Sequence, residues 1–252
     1  MRRDGKVFLL LLTILCVLAA STVASLYTQN QNSLTSSKQT LARVNPEQWP
    51  VVDYSAPEPI DPRERARRQA KGKKYNRDLT RIAPDFTEID VGFHWPIDFP
   101  PLPIVQSNAI VIGEVKNTQA FLSSDRTGVY SEFTVHISEV LKNGGSALLA
   151  IGSSIVLERI GGRVRFPSGK IGWVRVIGQG MPQIGQRYVF FLTCSDQGDF
   201  NLLTGYELRS GQVFPLDSGT PHFEVYEGAD ETIFLDKLRT AITNSSRAPQ
   251  GE

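Results

Sequence analysis

The stretch Asn108-Ala-Ile-Val-Ile-Gly-Glu-Val115 decides the fold class of this 252-residue chain. It is a short apolar run rich in β-branched residues, which favours a strand buried on both faces over a helix. The next element, Val129–Leu141, alternates instead. Phe133, Val135 and Ile137 would share one face of this strand, with polar residues on the other. The two patterns together predict neighbouring strands of one sheet.

More strands follow at short intervals, separated by glycine-rich turns. The alternation slips at Glu139-Val140, where a β-bulge would return Val140 to the core face. The later strands are predicted at Ser154–Ile160, Arg163–Phe166, Ile171–Ile177, Arg187–Thr193, Phe200–Leu203, Tyr206–Arg209 and Gln212–Leu216. Short strands at this spacing are typical of a small antiparallel barrel.

A closing helix completes the predicted domain. Asp230 can cap it, and it would run to about Thr243 with Phe234, Leu238 and Ile242 on one face. We therefore expect a mainly β fold over residues 103–244, a small OB-like antiparallel barrel with a C-terminal helix. A β-sandwich is the alternative.

The N-terminus predicts delivery to a membrane. Arg2, Arg3 and Lys6 precede the uncharged, largely apolar run Val7–Ala20. Positive charge before such a run is typical of a signal peptide or a membrane helix. We expect residues 1–27 to be a retained anchor in the cell membrane, with the C-terminal domain outside the cytosol. Cleavage, giving a secreted or periplasmic protein, is the alternative.

The region between membrane segment and domain reads as a spacer. Residues 28–83 are rich in proline and in basic side chains, which predicts a long, disordered and flexible linker. Its basic part, residues 63–77, is interpreted as a solvated linker or as a contact for anionic lipid. Residues 84–102 are apolar enough to predict an extended segment packed on the domain. Residues 245–252 are expected to be a disordered tail.

Two groups of residues are candidates for binding. Cations on adjacent predicted strands surround one aromatic ring, an arrangement that OB-like barrels use for oligomers. These ligand-binding candidates, here called the arginine surface, are Arg159, Arg163, Arg165, Lys170, Trp173 and Arg175. The alternative places the charges in water and the Trp173 ring in the core. The candidates for binding a partner protein are Phe93, Trp95 and Phe99.

The sequence offers no constellation that demands a particular chemistry. The three histidines, His94, His136 and His222, share no metal-ligand spacing, and no nucleophile elbow is present. Cys194 is interpreted as an inert, partly buried thiol, with an intermolecular disulfide or a reactive group as the alternatives. Residues 101–244 carry 12 basic against 14 acidic residues, which argues against a nucleic-acid surface. We expect no metal, no cofactor and no enzymatic activity.

A resemblance is carried by the run Ser107–Val115, by Glu132-Phe-Thr-Val-His-Ile-Ser-Glu-Val-Leu-Lys142, and by Gly185-Gln-Arg-Tyr-Val-Phe-Phe-Leu192. Over about residues 100–242 the chain resembles exported bacterial modules with an OB-like barrel and no assigned function. Netrin-like domains and tissue inhibitors of metalloproteinases are similar in general architecture. This chain lacks their cysteines, including the N-terminal one that meets the protease's metal, so protease inhibition is not implied.

The expected function is that of a non-enzymatic binding module, tethered to or exported across a membrane. Its partner would be a protein or an anionic polymer outside the cytosol. An accessory subunit of a cell-surface assembly is the second interpretation, and a cryptic hydrolase is the third.

Overall fold

The computed structural model of the chain describes residues 46–77, 87–91, 99–144, 149–195, 198–217 and 221–247. Almost all of them belong to one of two compact units, Gln48–Glu252. The expected membrane segment, residues 1–27, lies outside the described residues, as does most of the expected tail. None of the helices in the described ranges combines the length and the hydrophobicity needed to cross a membrane.

The described residues form two sheets and three α-helices. The strands are β1 (Val51–Asp53), β2 (Glu88–Val91), β3 (Ala109–Leu122), β4 (Val129–Asn143), β5 (Ser154–Ile160), β6 (Gly162–Arg165), β7 (Ile171–Val176), β8 (Arg187–Cys194), β9 (Phe200–Arg209), β10 (Gln212–Pro215) and β11 (Ala229–Asp230). The helices are α1 (Pro62–Lys73), α2 (Pro221–Glu224) and α3 (Glu231–Arg247). The larger sheet has the order β11-β10-β9-β5-β4-β3-β8, and the smaller one has the order β1-β6-β7-β2.

The expected mainly β fold with a C-terminal helix is confirmed. The N-terminal half of β3, through Val115, is buried or half-buried on both faces, as its composition predicts. Val111 and Val115 contribute to an inner core with Phe133 of β4, whereas Ile110 and Ile112 pack in a second core beneath α3. The β6–β7 hairpin encloses a third, smaller core against the far ends of β3 and β4.

The expected irregularity in β4 is present in altered form. The register between β3 and β4 skips Ser138 and Leu141, which flank the Glu139-Val140 step where the alternation slips. Val140 packs against the inner core, as the bulge was expected to achieve.

Helix α3 begins and packs as its sequence predicts. The Asp230 carboxylate accepts a hydrogen bond from the backbone N–H of Ile233 at 3.0 Å, which caps the first turn. Phe234, Leu238 and Ile242 are all buried against β3, β8 and β9. The helix thereby covers one outer face of the larger sheet.

The expected closed antiparallel barrel is corrected, because the sheet is not a closed barrel. Strand β9 pairs with β8 from Tyr188↔Glu207 to Cys194↔Phe200. It pairs with β5 only at Leu157↔Phe200 and Glu158↔Asn201, and in parallel. The parallel direction follows from the other pairings: β5 is antiparallel to β4, β4 to β3, β3 to β8 and β8 to β9, so β5 and β9 run the same way. The gap beyond the Glu158↔Asn201 pair, where β5 and β9 separate, is called the seam from here on.

A buried ion pair fills the seam. The Arg159 guanidinium on β5 lies 2.7 Å from the Asp217 carboxylate, and both side chains are almost fully buried. Arg159 also donates to the Gly180 carbonyl at 2.7 Å. Asp217 accepts hydrogen bonds from the Thr204 hydroxyl at 2.8 Å and from the Gly180 N–H at 2.9 Å. These bonds replace strand pairing where β5 and β9 separate.

Part of the expected spacer is built into the domain, which corrects its assignment as a flexible linker. Strand β1 pairs in parallel with β6, and Trp49 enters the inner core. The basic residues 63–77 include helix α1, whose start is fixed by Pro62 and by the Asp61 carboxylate accepting from the Arg63 N–H at 3.0 Å. The polar composition of this stretch predicted a linker because few of its residues make apolar contacts with the domain.

Replacing Asp217 by alanine should destabilise the domain by about 3–5 kcal/mol, because Arg159 then stays buried without its counter-charge. Urea unfolding followed by circular dichroism measures the loss. The double variant Arg159→Met/Asp217→Leu should recover much of it, since no uncompensated charge remains. A loss of less than about 1 kcal/mol in Asp217→Ala would contradict the role assigned to this pair.

Candidate functional site

The structure divides the arginine surface. Arg163 on β6 lies directly opposite Trp173 on β7, with its guanidinium carbon 5.2 Å from the ring centroid. Its Nε donates to the Trp49 carbonyl at 2.9 Å. The Trp173 ring is half-buried and packs edge-on against Trp49 at 6.0 Å between centroids. Trp173 therefore serves the core as well as the surface.

The other cations of this surface differ in their surroundings. Arg165 is exposed on β6, and Lys170 is exposed in the turn before β7. Arg175 is paired with Glu88 of β2. Arg159 belongs to the buried seam and not to any outer face, so its place in the predicted surface is corrected. Alternation along β5 does not reveal this, because the gap into which Arg159 points is created by distant strands.

The residues predicted to bind a partner protein are only partly described. Phe99 is half-buried and packs against the core beneath α3. Phe93 and Trp95 lie outside the described residues.

Helix α1 presents a row of side chains to the sheet. Arg68, Lys71 and Tyr75 follow one another at spacings of three and four residues, which places them on one side of a helix and its C-terminal turn. Gly72 lets the helix approach closely, since a Cβ there would lie 2.8 Å from the backbone nitrogen of Ser124. The sequence contained this spacing, but the partners that give it meaning are distant in the chain.

The partners are carboxylates on the outer face of β4 and β5 and at the start of β9. The Lys71 ammonium lies 2.6 Å from Glu158 and 2.9 Å from Glu132, and Asp199 lies 3.6 Å away. Arg68 also binds Glu132, at 2.8 Å. Lys74 pairs with Asp199. We call Arg68, Lys71, Lys74, Glu132, Glu158 and Asp199 the ionic cluster.

Burial and pairing act in opposite directions on the ionic cluster. Burial alone would lower the pKa of Lys71, but hydrogen bonds to Glu158 and Glu132 outweigh it and raise that pKa. Burial would likewise raise the pKa of Asp199, but the hydrogen bond from Lys74 and the charge of Lys71 lower it. Both groups are therefore held in their charged forms.

Stacked aromatic rings complete the contact of α1. The Tyr75 hydroxyl donates to Glu158 at 2.9 Å, and its ring stacks on Tyr130 with centroids 4.4 Å apart. The Arg68 guanidinium lies over the Phe121 ring at 3.7 Å. Burial, together with the negative charge of Glu158, raises the pKa of Tyr75, so this hydroxyl stays protonated. These contacts fix the C-terminal end of α1 on the sheet.

A cavity of about 430 Å³ lies beside the ionic cluster, at the seam. We call it the seam cavity. Its walls are the side chains and backbone of Lys74, Tyr75, Phe99, Glu158, Arg159, Ile160, Val176, Gln179, Thr193, Asn201, Leu202 and Leu203. Apolar side chains form much of the lining, and neutral amide and hydroxyl groups are placed among them. A concave site of this size and mixed lining suits a small organic group.

The carboxylates nearest the seam cavity are held in ion pairs with α1, and Tyr75 is a neutral donor. Cys194 is partly buried, with its Sγ 3.5 Å from the Ser195 carbonyl. His136 lies on β4 and His222 on α2, while His94 lies outside the described residues. Within the ranges that the structure describes, no three potential metal ligands converge.

Comparison with known proteins adds no assignment to this geometry. No protein-family model matches the chain, and no curated protein matches its sequence.

The stability of the domain should depend far more on Lys71 than on the exposed lysine of the same helix. Lys71→Met should lower the free energy of unfolding by about 3 kcal/mol or more, because Glu158 loses its buried counter-charge. Lys73→Met on the same helix is the matched control, since Lys73 is exposed. Urea unfolding compares the two, and equal stability of both variants would contradict the assigned burial.

The Asp199 pairing predicts a pH dependence. The pKa of Asp199 is lowered in the folded protein. The stability that its pairing contributes is therefore fully present above the ordinary pKa of 3.8, and it is lost as the pH falls through the lowered pKa. Wild type should therefore be more stable than Asp199→Asn at pH 7, and this difference should shrink toward pH 2. Asp236→Asn, on the exposed side of α3, is the control. A difference that is constant with pH would refute the pairing.

Proposed function

We propose that this chain is a non-enzymatic interaction module that captures an apolar side chain of a partner protein in the seam cavity. The segment 1–27 would deliver it outside the cytosol, held at the cell membrane or released after cleavage. The observation that carries the proposal is the cavity itself, which lies where β5 and β9 cease to pair. Pockets that accept one aromatic or aliphatic anchor commonly dominate the affinity of protein interfaces.

We also propose that the domain is OB-like, in the partly open sense of that fold. The order of pairing supports this, because β3 pairs with β4, β4 with β5, β5 with β9, β9 with β8 and β8 with β3. The β5–β9 step is the weakest one. In partly open barrels of this kind, ligands bind to the outer strand face and the adjoining loops.

The chemistry of the walls favours a peptide side chain over a charged metabolite. Phe99, Ile160 and Leu203 offer apolar surface. Thr193 and Asn201 oppose each other on β8 and β9, and both line the cavity with neutral polar groups. Such groups suit the amides that flank an inserted side chain. The charged groups nearby already hold partners, so a ligand charge would meet little complement.

The proposal is tested with the full chain, ¹⁵N-labelled, and N-acetyltryptophanamide as a probe of an aromatic side chain with its flanking amides. We expect saturable shifts at the backbone amides of Thr193 and Asn201, with a dissociation constant of about 1 mM, as befits a single anchor. N-acetylglycinamide, which lacks the side chain, should produce none.

Variants that fill the cavity provide the decisive comparison. Leu203→Trp should abolish the shifts, and Asn201→Phe should do so from the rim. Val156→Trp, at an exposed position on β5, should leave them unchanged. Equal binding by all three variants, or no binding by the wild type, would refute the proposal.

Two further predictions concern partners. If the chain is an accessory subunit, Phe99, which lines the seam cavity, would contribute to the contact predicted for Phe93, Trp95 and Phe99. Stable co-purification of one partner would support that interpretation. Binding of an anionic polymer to the arginine surface, and of anionic lipid to residues 63–77, stays a prediction. Three cations of the latter stretch, Arg68, Lys71 and Lys74, already bind carboxylates of the domain.

A further inference from the structure

A second cavity lies near the N-terminal half of α1, apart from the seam cavity. Its volume is about 300 Å³, and it is lined by residues 52, 53 and 56–59, by α1, and by the ends of β3 and β4 with the turn between them. Three guanidinium groups line it, those of Arg65, Arg68 and Arg126. Three arginines converging on one small cavity is an arrangement that suits an anion.

Two of the three guanidiniums carry ion pairs, since Arg68 binds Glu64 and Glu132 and Arg65 lies 3.5 Å from Glu58. Arg65 donates to the carbonyls of Pro59 at 3.0 Å and Ile60 at 3.3 Å. Arg126 donates to the Tyr54 carbonyl at 3.1 Å and has no ion pair within the described residues. Each guanidinium has five N–H donors, so donors remain on both after these bonds. Neutral carbonyls orient these two groups without neutralising Arg126.

The backbone at Arg126 is itself unusual. Its φ of 58° lies in the left-handed region, which a non-glycine residue rarely adopts. The side chain is nevertheless fixed, by the Tyr54 carbonyl and by the Tyr54 ring at 5.5 Å. Arg126 therefore adopts a backbone conformation that glycine would adopt more readily.

A buried hydroxyl points to the missing ligand. Tyr130 lines the cavity and is fully buried, and its neighbour Arg68 can only donate, so the hydroxyl proton has no acceptor within the described part of the chain. Burial of a hydroxyl without a partner is unfavourable, and native structures seldom leave one so. Burial also raises the pKa of Tyr130, so the hydroxyl is available as a donor.

We propose that this cavity, the α1–β3 cavity, binds a singly charged carboxylate carried on an apolar group. The forked geometry of Arg65 and Arg126 matches a carboxylate, and the Tyr130 hydroxyl supplies a further donor. Asp53 and Glu58 also line the cavity, which disfavours a doubly charged phosphate. Phe121 offers an apolar wall for the remainder of the ligand.

Benzoate is the probe, titrated calorimetrically into the full chain. Benzamide retains the ring without the charge, acetate retains the charge without the ring, and both should bind at least ~10-fold more weakly. Phenyl phosphate should also bind more weakly than benzoate, because of Asp53 and Glu58. Equal binding of benzamide would overturn the anion site, and tighter binding of phenyl phosphate would overturn its assignment to a carboxylate.

Variants then locate the site. Arg65→Gln, Arg126→Gln and Tyr130→Phe should each weaken benzoate at least ~10-fold. Arg126→Gly removes the guanidinium while suiting the backbone conformation, so it should fold and still lose binding. The matched control is Arg67→Gln, since Arg67 lies on α1, binds Glu64 and does not line the cavity. Leu203→Trp, which fills the seam cavity, should leave benzoate binding intact, so the two sites are tested separately. Unchanged affinity in both the Arg65 and Arg126 variants would refute the site.

Discussion

The buried ion pair between Arg159 and Asp217 is the constraint on which the rest of the structure depends. Strand β9 pairs with β8 along most of its length, but its contact with β5 ends after two residue pairs. Without a polar bridge, the backbone groups at this gap would face one another across an apolar space. Arg159 spans it and binds both Asp217 and the Gly180 carbonyl, so three distant segments of the chain meet at one charge pair. Beyond their last residue pair, β5 and β9 are joined there by side chains, because Asp217 binds both Arg159 and Thr204.

That arrangement explains why a cavity forms where it does. Strands that stop pairing leave space between them, and the bridging side chain is too narrow to fill it. The C-terminal end of α1 then supplies the remaining wall through Lys74 and Tyr75. The ionic cluster is what holds this helix on the sheet, since Lys71 is surrounded by Glu132, Glu158 and Asp199. The position of the candidate site is thus set by two sets of charges, and Lys74, Glu158 and Arg159 from these sets also line the cavity.

The sequence predicted what depends on local patterns. The β-branched run at Asn108–Val115 indicated a strand buried on both faces, and Asp230 indicated the start of the last helix, because these signals involve neighbours in the chain. Arg159 could not be placed in this way. Its neighbours in β5 give no local sign that it is buried, and Asp217 is 58 residues away.

The basic stretch at residues 63–77 was misinterpreted for the same reason, since its ion-pair partners are distant in the chain. A run of positive charge reads as solvated when its partners are unknown, and here the partners come from β4, β5 and the start of β9. The spacing of Arg68, Lys71 and Tyr75 on one helical side was visible, but only long-range pairing turns it into a docking face. Ion pairs between residues distant in the chain are therefore the part of this site that local sequence pattern cannot predict.

The incorporation of α1 into the domain moves the effective N-terminal boundary of the folded body. A fragment that starts at residue 84, where the apolar pre-domain segment begins, would lack both β1 and α1. It would retain Glu132, Glu158 and Asp199 with no cation beside them, on a surface shaped for a helix. Mutual repulsion among these acids, together with the uncovered ring of Tyr130, would favour misassembly over a soluble monomer. An expression fragment intended to report on this domain has to begin upstream of Trp49.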